Sequence, residues 1–382
     1  MISARAAGKL FIAGEYAIVT PGNAALIAAV DRYLTVTVTE HNHAPSDAVS
    51  DRENPHTAAV PVIGASVIDA AYGDRAELTI APDGTATIGD YPADALSAAI
   101  TVVEQLRVLQ GLPPINYELR VENDLTAADG LKFGLGSSGA VIVATVAALG
   151  ELHQLALTPA ERFQLALIAS ASLSVRGSGG DIAASTFGGV IRYISPDRTQ
   201  IAADYRKGGL DGALNSPGWH GCLIEPVELH SDLHFLVGWT GSPAKTEQLV
   251  AKSKAAPVDP QAEALFLAKS ARAVQEIAAV LSADTLDREQ LQQTVAAARS
   301  ALKEYGEATG IAIETELLSA LCELALSAGA AAKSSGAGGG DCGIAFANDL
   351  ATRQAVIQAW EGAGITVLDT CVTRGEGVCV EF

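Results

Sequence analysis

Aromatic residues are scarce in this chain: Phe, Trp and Tyr together make up 5% of its 382 residues. Close packing of helices and loops through small side chains is expected in place of large aromatic anchors. Positive charge is also in short supply, with 25 Lys and Arg against 44 Asp and Glu and a net charge of −19. No basic run occurs, and this balance excludes an ordinary nucleic-acid binder. An anionic ligand would have to be held locally, by a few placed Lys or Arg residues, backbone N–H groups and a metal ion. Cysteine is sparse and irregular, since Cys222, Cys322, Cys342, Cys371 and Cys379 form no C-x-x-C pair. A disulfide framework and a cysteine zinc site are therefore excluded, leaving free thiols suited to a reducing cytosol. Long apolar runs are missing too. The longest, Ala140–Leu149, falls well short of the ~20 residues a membrane span needs. The stretch "MISARAAGKLFIAGEYAIV" is broken by Gly14 and Glu15, which makes it a poor secretory signal. A cytoplasmic protein with neither membrane nor nucleic-acid partners is expected.

What is present is an apolar fraction of 49% against 18% charged residues, enough to bury a sizeable core. At ~150 residues per domain, the length suggests two domains. Strands are expected in "LFIAGEYAIV" (10–19), in the alternating "DRYLTVTVTE" (31–40) and in "INYELRVEND" (115–124). Residues 41–57 are polar and Pro-bearing and read as a loop, so His41, His43 and His56 are expected as exposed loop histidines without metal-ligand spacing. Helices are expected at 94–111, ending at Gly111, and at 139–155 and 159–173. Residues 196–220 are polar and rich in Gly and Pro, and mark a domain boundary. Strands, long Ala/Leu helices and a closing strand "VCVEF" follow. No regular βαβ alternation emerges, which predicts an α+β fold.

Three glycine-rich knots interrupt this pattern. The middle one, "KFGLGSSGA" (132–140), contains Gly134, Gly136 and Gly139 in a G-x-G-x-x-G spacing. A dinucleotide fingerprint needs a strand running straight into the turn, but the polar "ENDLTAADGLK" intervenes. A protein-kinase loop needs V-A-I-K, H-R-D and D-F-G, and a Walker A loop needs G-x-x-x-x-G-K-[ST]; none is present. What remains is a glycine turn carrying two hydroxyls and opening an apolar helix. Such a turn can be an anion cradle of backbone N–H groups and helix dipole, or a bare turn with Ser as N-cap. The knot "KSSGAGGGDCG" (333–343) holds five glycines in eleven residues. Their entropic cost implies close backbone approach to a ligand or another loop.

The three stretches "AAGKLFIAGEYAIV", "KFGLGSSGAV" and "KSSGAGGGDCGIA" resemble, in order, the three motifs of the GHMP kinases. With "GSGGDIAASTFGGVIRY" and "VGWTGSPAKT", the pattern is most similar to the bacterial phosphomevalonate kinase branch. The resemblance implies a two-domain GHMP kinase fold of α+β class. It implies an N-terminal nucleotide-binding domain over 1–205 and a C-terminal ferredoxin-like domain over 206–382. It further implies ATP and phosphomevalonate as substrates, Mg²⁺ as metal, and room for a homodimer. ATP would lie on Lys132, Gly134, Leu135, Gly136, Ser137, Ser138 and Gly139, with the metal on Ser138. Ser137 would cap the helix or hold a phosphate oxygen, and the two serines are interchangeable at this level. Lys9 and Asp181 carry over as a catalytic pair. Lys9, Glu15, Tyr16, Ser178, Asp181, Ser185 and Arg192 carry over as acceptor contacts, with Ser335, Gly336, Ala337 and Gly338 of the last motif. Tyr16 stands where other branches place a His. From the residues alone, Lys9 reads as a Lys on an edge strand and Asp181 as a helix N-cap.

If the acceptor is an alcohol, a base helps to remove its proton, and Asp181 is the candidate. A phosphate monoester, with a second pKa of about 6, is already largely dianionic at neutral pH and needs none. It would need cations beyond those that hold ATP, and Arg176, Arg192, Lys132, Lys245 and Lys333 lie in or beside the motifs. Mevalonate kinase and a catalytically silent kinase-like sensor are the alternative readings.

Overall fold

The computed structural model describes residues 1–41, 65–69, 75–127, 130–241, 249 and 259–382. His43, His56, Lys245 and residues 242–246 of "VGWTGSPAKT" lie outside the described residues.

The architecture is built on two sheets. The first takes β1 (Ile2–Ala13), β2 (Ala24–Glu40), β3 (Ala65–Ile68), β4 (Ala76–Ile80), β5 (Ala86–Ile88), β6 (Tyr117–Asn123), β7 (Val190–Ile194) and β8 (Leu223–Val227). The second takes β9 (His234–Trp239), β10 (Ala331–Ser334), β11 (Cys342–Ala347) and β12 (Thr366–Leu368), and β13 (Val378–Glu381) returns to the first. The first sheet runs β13-β1-β2-β6-β3-β4-β5, and β7 branches from β2 to carry β8. Its pairings are antiparallel except β3 with β6. The second runs β10-β11-β9-β12, antiparallel throughout. With helices after β9 and after β11, that is the ferredoxin-like order.

The helices of the first half are α1 (Ala95–Leu109), α2 (Ser137–Leu152), α3 (Pro159–Leu173), α4 (Gly180–Phe187) and α5 (Arg198–Leu214). Those of the second half are α6 (Pro260–Leu281), α7 (Arg288–Thr309), α8 (Glu316–Ser327) and α9 (Leu350–Gly362). α1 starts at a capping box between Asp94 and Ser97, and α3 at one between Thr158 and Glu161, with Pro159 in the first turn. α2 is apolar on nearly every side and packs against β1, β2, α1 and α3.

Three local readings change. The strand expected over 10–19 ends at Ala13, because Gly14 (φ 92°) and Tyr16 (φ 61°) turn the chain out of the sheet. The polar stretch 196–220 is mostly helix: Asp197 caps it through the Gln200 N–H, and Ile201, Ala202, Leu210 and Ala213 are buried. The helix breaks at Gly209 (φ 62°), where glycine is at ease. The boundary expected at 205/206 falls inside this helix, and both β8 and β13 belong to the first sheet. The turn before β13 is glycine against glycine. A Cβ on Gly188 would lie 2.1 Å from the Gly375 carbonyl oxygen, and Gly377 links the Ala7 N–H to the Thr186 carbonyl.

One buried polar network fixes the far end of α2. Glu104 of α1, fully buried, accepts from His153 Nε2 (2.9 Å), Arg107 Nε (2.6 Å) and the Tyr117 hydroxyl (3.1 Å). Burial alone would raise its carboxyl, but His153 and Arg107 outweigh it and hold the group below the ordinary carboxylate range. The network therefore contributes stability above the ordinary carboxyl pKa, which is lost as acid protonates Glu104. Glu104→Ala leaves Arg107 buried and uncompensated, so urea denaturation should show a loss of ~3–5 kcal/mol near neutral pH. The difference between variant and wild type should narrow on acidification.

Candidate active site

β1 delivers the first functional side chain. Its register against β2 shifts between Ala7 and Gly8, an irregularity of the kind that re-aims a side chain. The next residue is Lys9. Its backbone N–H bonds to the Leu135 carbonyl (2.8 Å), and its Nζ donates to the Gly134 carbonyl (3.3 Å) above the Phe11 ring. The strand thus lies directly against the middle glycine knot.

That knot is shaped by left-handed backbone. Gly134 and Gly136 both have φ 81°, and Gly136 is the N-cap of α2. No side chain caps the helix, so the alternative in which Ser137 served as a cap is not realised. The first N–H groups of α2 keep their donors and the helix dipole for a ligand. Ser137 is half-buried and Ser138 is exposed in the first turn.

Asp181 closes the same space from α4. The N-cap there is Gly179 (φ 76°), and Asp181 sits one turn position inside, so its carboxylate is not used for capping. A Cβ on Gly139 would lie 2.6 Å from Asp181 Oδ2. A Cβ on Gly136 would lie 2.9 Å from Lys9 Cε and 3.4 Å from Asp181 Cβ. Lys9 and Asp181 therefore both crowd the Cβ side of Gly136. They make no direct ion pair, contrary to the pairing expected of them. Asp341, which no sequence signal singled out, closes the loop's other end: a Cβ on Gly134 would lie 2.5 Å from its carboxyl.

The last motif is fastened to the first by side chains. Lys333, fully buried, donates to Glu15 Oε1 (2.5 Å) and to the Ser334 carbonyl (2.6 Å). The Tyr16 hydroxyl donates to the Ala337 carbonyl (2.6 Å), and Ser335 Oγ to the Phe11 carbonyl (2.9 Å). Burial and the neighbouring Tyr305 and Glu15 push the Tyr16 phenol well up, so it stays a donor. The expected acceptor contact of Glu15, and the reading of Lys333 as a phosphate-binding cation, give way to this internal pair. Close approach to another loop is seen at one glycine of the knot. Gly338 (φ 68°) presses on the Ile313 carbonyl, where a Cβ would come within 2.0 Å, while Gly336 (φ 78°) faces open space.

Other expected residues fall apart from this centre or in its support. Ser185 is buried and donates to the Ala7 carbonyl (2.6 Å). Arg192 pairs with Glu225 across β7 and β8 (2.6 Å). Lys132 and Arg176 are exposed. Ser178 Oγ accepts from the Gly180 N–H (3.2 Å), and its carbonyl accepts from Tyr193 and Ser195 hydroxyls. Arg198, missed because it lies in the stretch read as a boundary, is buried behind this loop. All five cysteines are free, and burial pushes Cys222 up to about 11 and Cys322 up to about 12, too high for a nucleophile. Among the described residues, no cluster of three His, Cys, Asp or Glu could hold a metal, and no helix is long and apolar enough to cross a membrane.

Comparison with known proteins gives matches over both halves. The family models for the GHMP kinases N terminal domain and the GHMP kinases C terminal match residues 95–189 and 262–366. The chain is 39% identical over 371 residues to a phosphomevalonate kinase of Streptomyces sp. (strain CL190), covering 95% of both. It resembles the Lin0012 protein from Listeria innocua with a TM-score of 0.84 at 29% identity, over 100% of this chain and 99% of that one. It also resembles Streptococcus pneumoniae phosphomevalonate kinase in complex with phosphomevalonate and AMPPNP, with a TM-score of 0.78 at 26% identity, over 98% and 100%.

Two outcomes test the geometry. Gly136→Ala introduces a Cβ at a positive φ beside the Lys9 side chain, so ATP turnover should fall at least about a hundredfold, while the melting temperature changes by only a few degrees. Lys333→Met strands the buried Glu15 carboxylate and should cost ~3–5 kcal/mol in denaturant unfolding. Adding Glu15→Met should recover most of that loss, which a double-mutant cycle measures.

Proposed function

The chain belongs to the GHMP kinase family, and on that premise we propose that it transfers the γ-phosphoryl group of ATP to (R)-5-phosphomevalonate, giving ADP and 5-diphosphomevalonate. The observation that carries this reading is the identity of 39% to a phosphomevalonate kinase along 95% of both chains. The site supports it. Gly134–Gly139 offers backbone N–H groups and an uncapped helix N-terminus to the triphosphate. Leu135 lies within that cradle and Lys132 just before it. Magnesium suits the donors present, because Ser138 presents an exposed hydroxyl, a hard oxygen, beside the cradle. Ser138 would hold it together with nucleotide phosphate oxygens, and its charge offsets theirs when bound.

The acceptor lies between Lys9, Asp181 and the Ser335–Gly338 segment. Its phosphate oxygen attacks the γ-phosphorus as the bond to the ADP oxygen breaks. The acceptor is dianionic at neutral pH, so no proton has to be removed. Lys9 Nζ, held over the loop by the Gly134 carbonyl, neutralises charge building between the two phosphates. Asp181, beside Gly136 and Gly139, orients the acceptor.

Mg-dependent ADP release with phosphomevalonate and mevalonate side by side tests the acceptor. Turnover is expected with phosphomevalonate and not with mevalonate. Turnover with mevalonate alone would overturn the acceptor, keep the ATP site and make Asp181 a base. Asp181→Asn is expected to lower kcat by less than ~100-fold, the lower end of what a lost general base costs. Loss of turnover at every pH, with acceptor affinity and fold intact, would refute the orienting role.

A further inference from the structure

Arg198 stands out among the cations of this acidic chain. It is 5% exposed, at the first turn of α5. Its Nη2 donates to Ser170 Oγ (3.0 Å) and to the Ser174 carbonyl (2.8 Å), both neutral acceptors, and its buried Nε has no partner. A Cβ on Gly177 would lie 3.0 Å from its Nη1, so the guanidinium lies against the backbone of the loop that leads into Asp181. No carboxylate pairs with it among the described residues. Burial lowers the guanidinium pKa and the field of Asp181 opposes that. A buried, unpaired charge is costly and its field is weakly screened. On the outer side of the same loop, Ser172, Ser174, Arg176 and Arg206 line a cavity of about 430 Å³. Among the described residues neither of those arginines is in an ion pair either, so three guanidiniums without a carboxylate partner there surround one loop.

The reaction proposed above brings two multiply charged anions together next to the carboxylate of Asp181. Lys9 alone would have to offset that carboxylate and the acceptor's phosphate. We infer that Arg198 is a specificity-determining positioning residue, whose buried and unpaired charge behind residues 174–178 makes the Asp181 side of the site favourable for an acceptor that brings its own phosphate. It acts through its field, without touching the substrate. This rests on the phosphomonoester reading of the acceptor.

The test compares Arg198→Gln, Arg198→Lys and Tyr193→Phe with wild type. Kinetics are run with ATP and phosphomevalonate, and melting temperatures are recorded. Arg198→Gln should raise the KM for phosphomevalonate about tenfold or more, the scale of a lost buried charge, with kcat and the KM for ATP within about threefold. Arg198→Lys keeps the charge and should stay within about threefold of wild type on every constant. Tyr193→Phe loosens the same loop at Ser178 without altering charge and should leave the acceptor KM unchanged. An Arg198→Lys enzyme as weak as the Gln variant, a matching rise in Tyr193→Phe, or equal changes in both KM values would overturn the inference. If Arg198→Gln does not fold, Arg198→Lys decides alone: an acceptor KM near wild type supports the role of charge, and a tenfold rise refutes it. A wild-type enzyme inactive on phosphomevalonate would sink the acceptor reading itself, an outcome distinct from an active wild type indifferent to Arg198.

Discussion

The site depends on side chains that are not there. Between β1 and α4 the chain threads a glycine loop through a gap too narrow for a Cβ, with Lys9 and Asp181 both pressed against Gly136. Because α2 begins at a left-handed glycine with no capping side chain, its first amide groups are free to face an anion. Under the proposed reading, a cradle built of backbone groups is how a chain of net charge −19 would hold a triphosphate. The positive potential comes from backbone dipoles and a few placed cations.

Around that gap the structure uses buried charge as a fastener. Lys333 with Glu15 secures the last motif to the first, and Glu104 with Arg107 and His153 secures the far end of α2. Both tie together segments far apart in sequence, and both are severe to break from one side because the surviving charge has no water to turn to. Such pairs limit how far the segments around the glycine loop can drift, and a misplacement of about 1 Å can cost a hundredfold in rate.

The sequence made the glycine motifs, their order and the α+β class legible, because backbone demands at positive φ and helix starts leave residue-specific marks. Lys9 and Asp181 both border the loop. What could not be seen was which charges would be spent internally. Glu15 and Lys333 lie more than three hundred residues apart, and nothing local marks them as partners. Arg198 was hidden because residues 196–220 look like a linker by composition. Their helix owes its stability to the Asp197 cap and to four buried apolar residues rather than to amphipathic periodicity. Lys9 and Asp181 both reach the space beside Gly136 without forming the expected ion pair.

The return of β13 to β1 bears on how the molecule is made. Lys9 sits on a strand whose inner edge is paired early, by β2, but whose outer edge waits for residues 378–381. Those residues leave the ribosome only after the whole ferredoxin-like unit. Until then β1 offers an open row of backbone donors and acceptors, the kind of surface that recruits other chains. The glycine-on-glycine contact of Gly188 with residues 375–377 then acts as the latch of an assembly whose catalytic strand is finished last. That open edge lies on the same strand as Lys9.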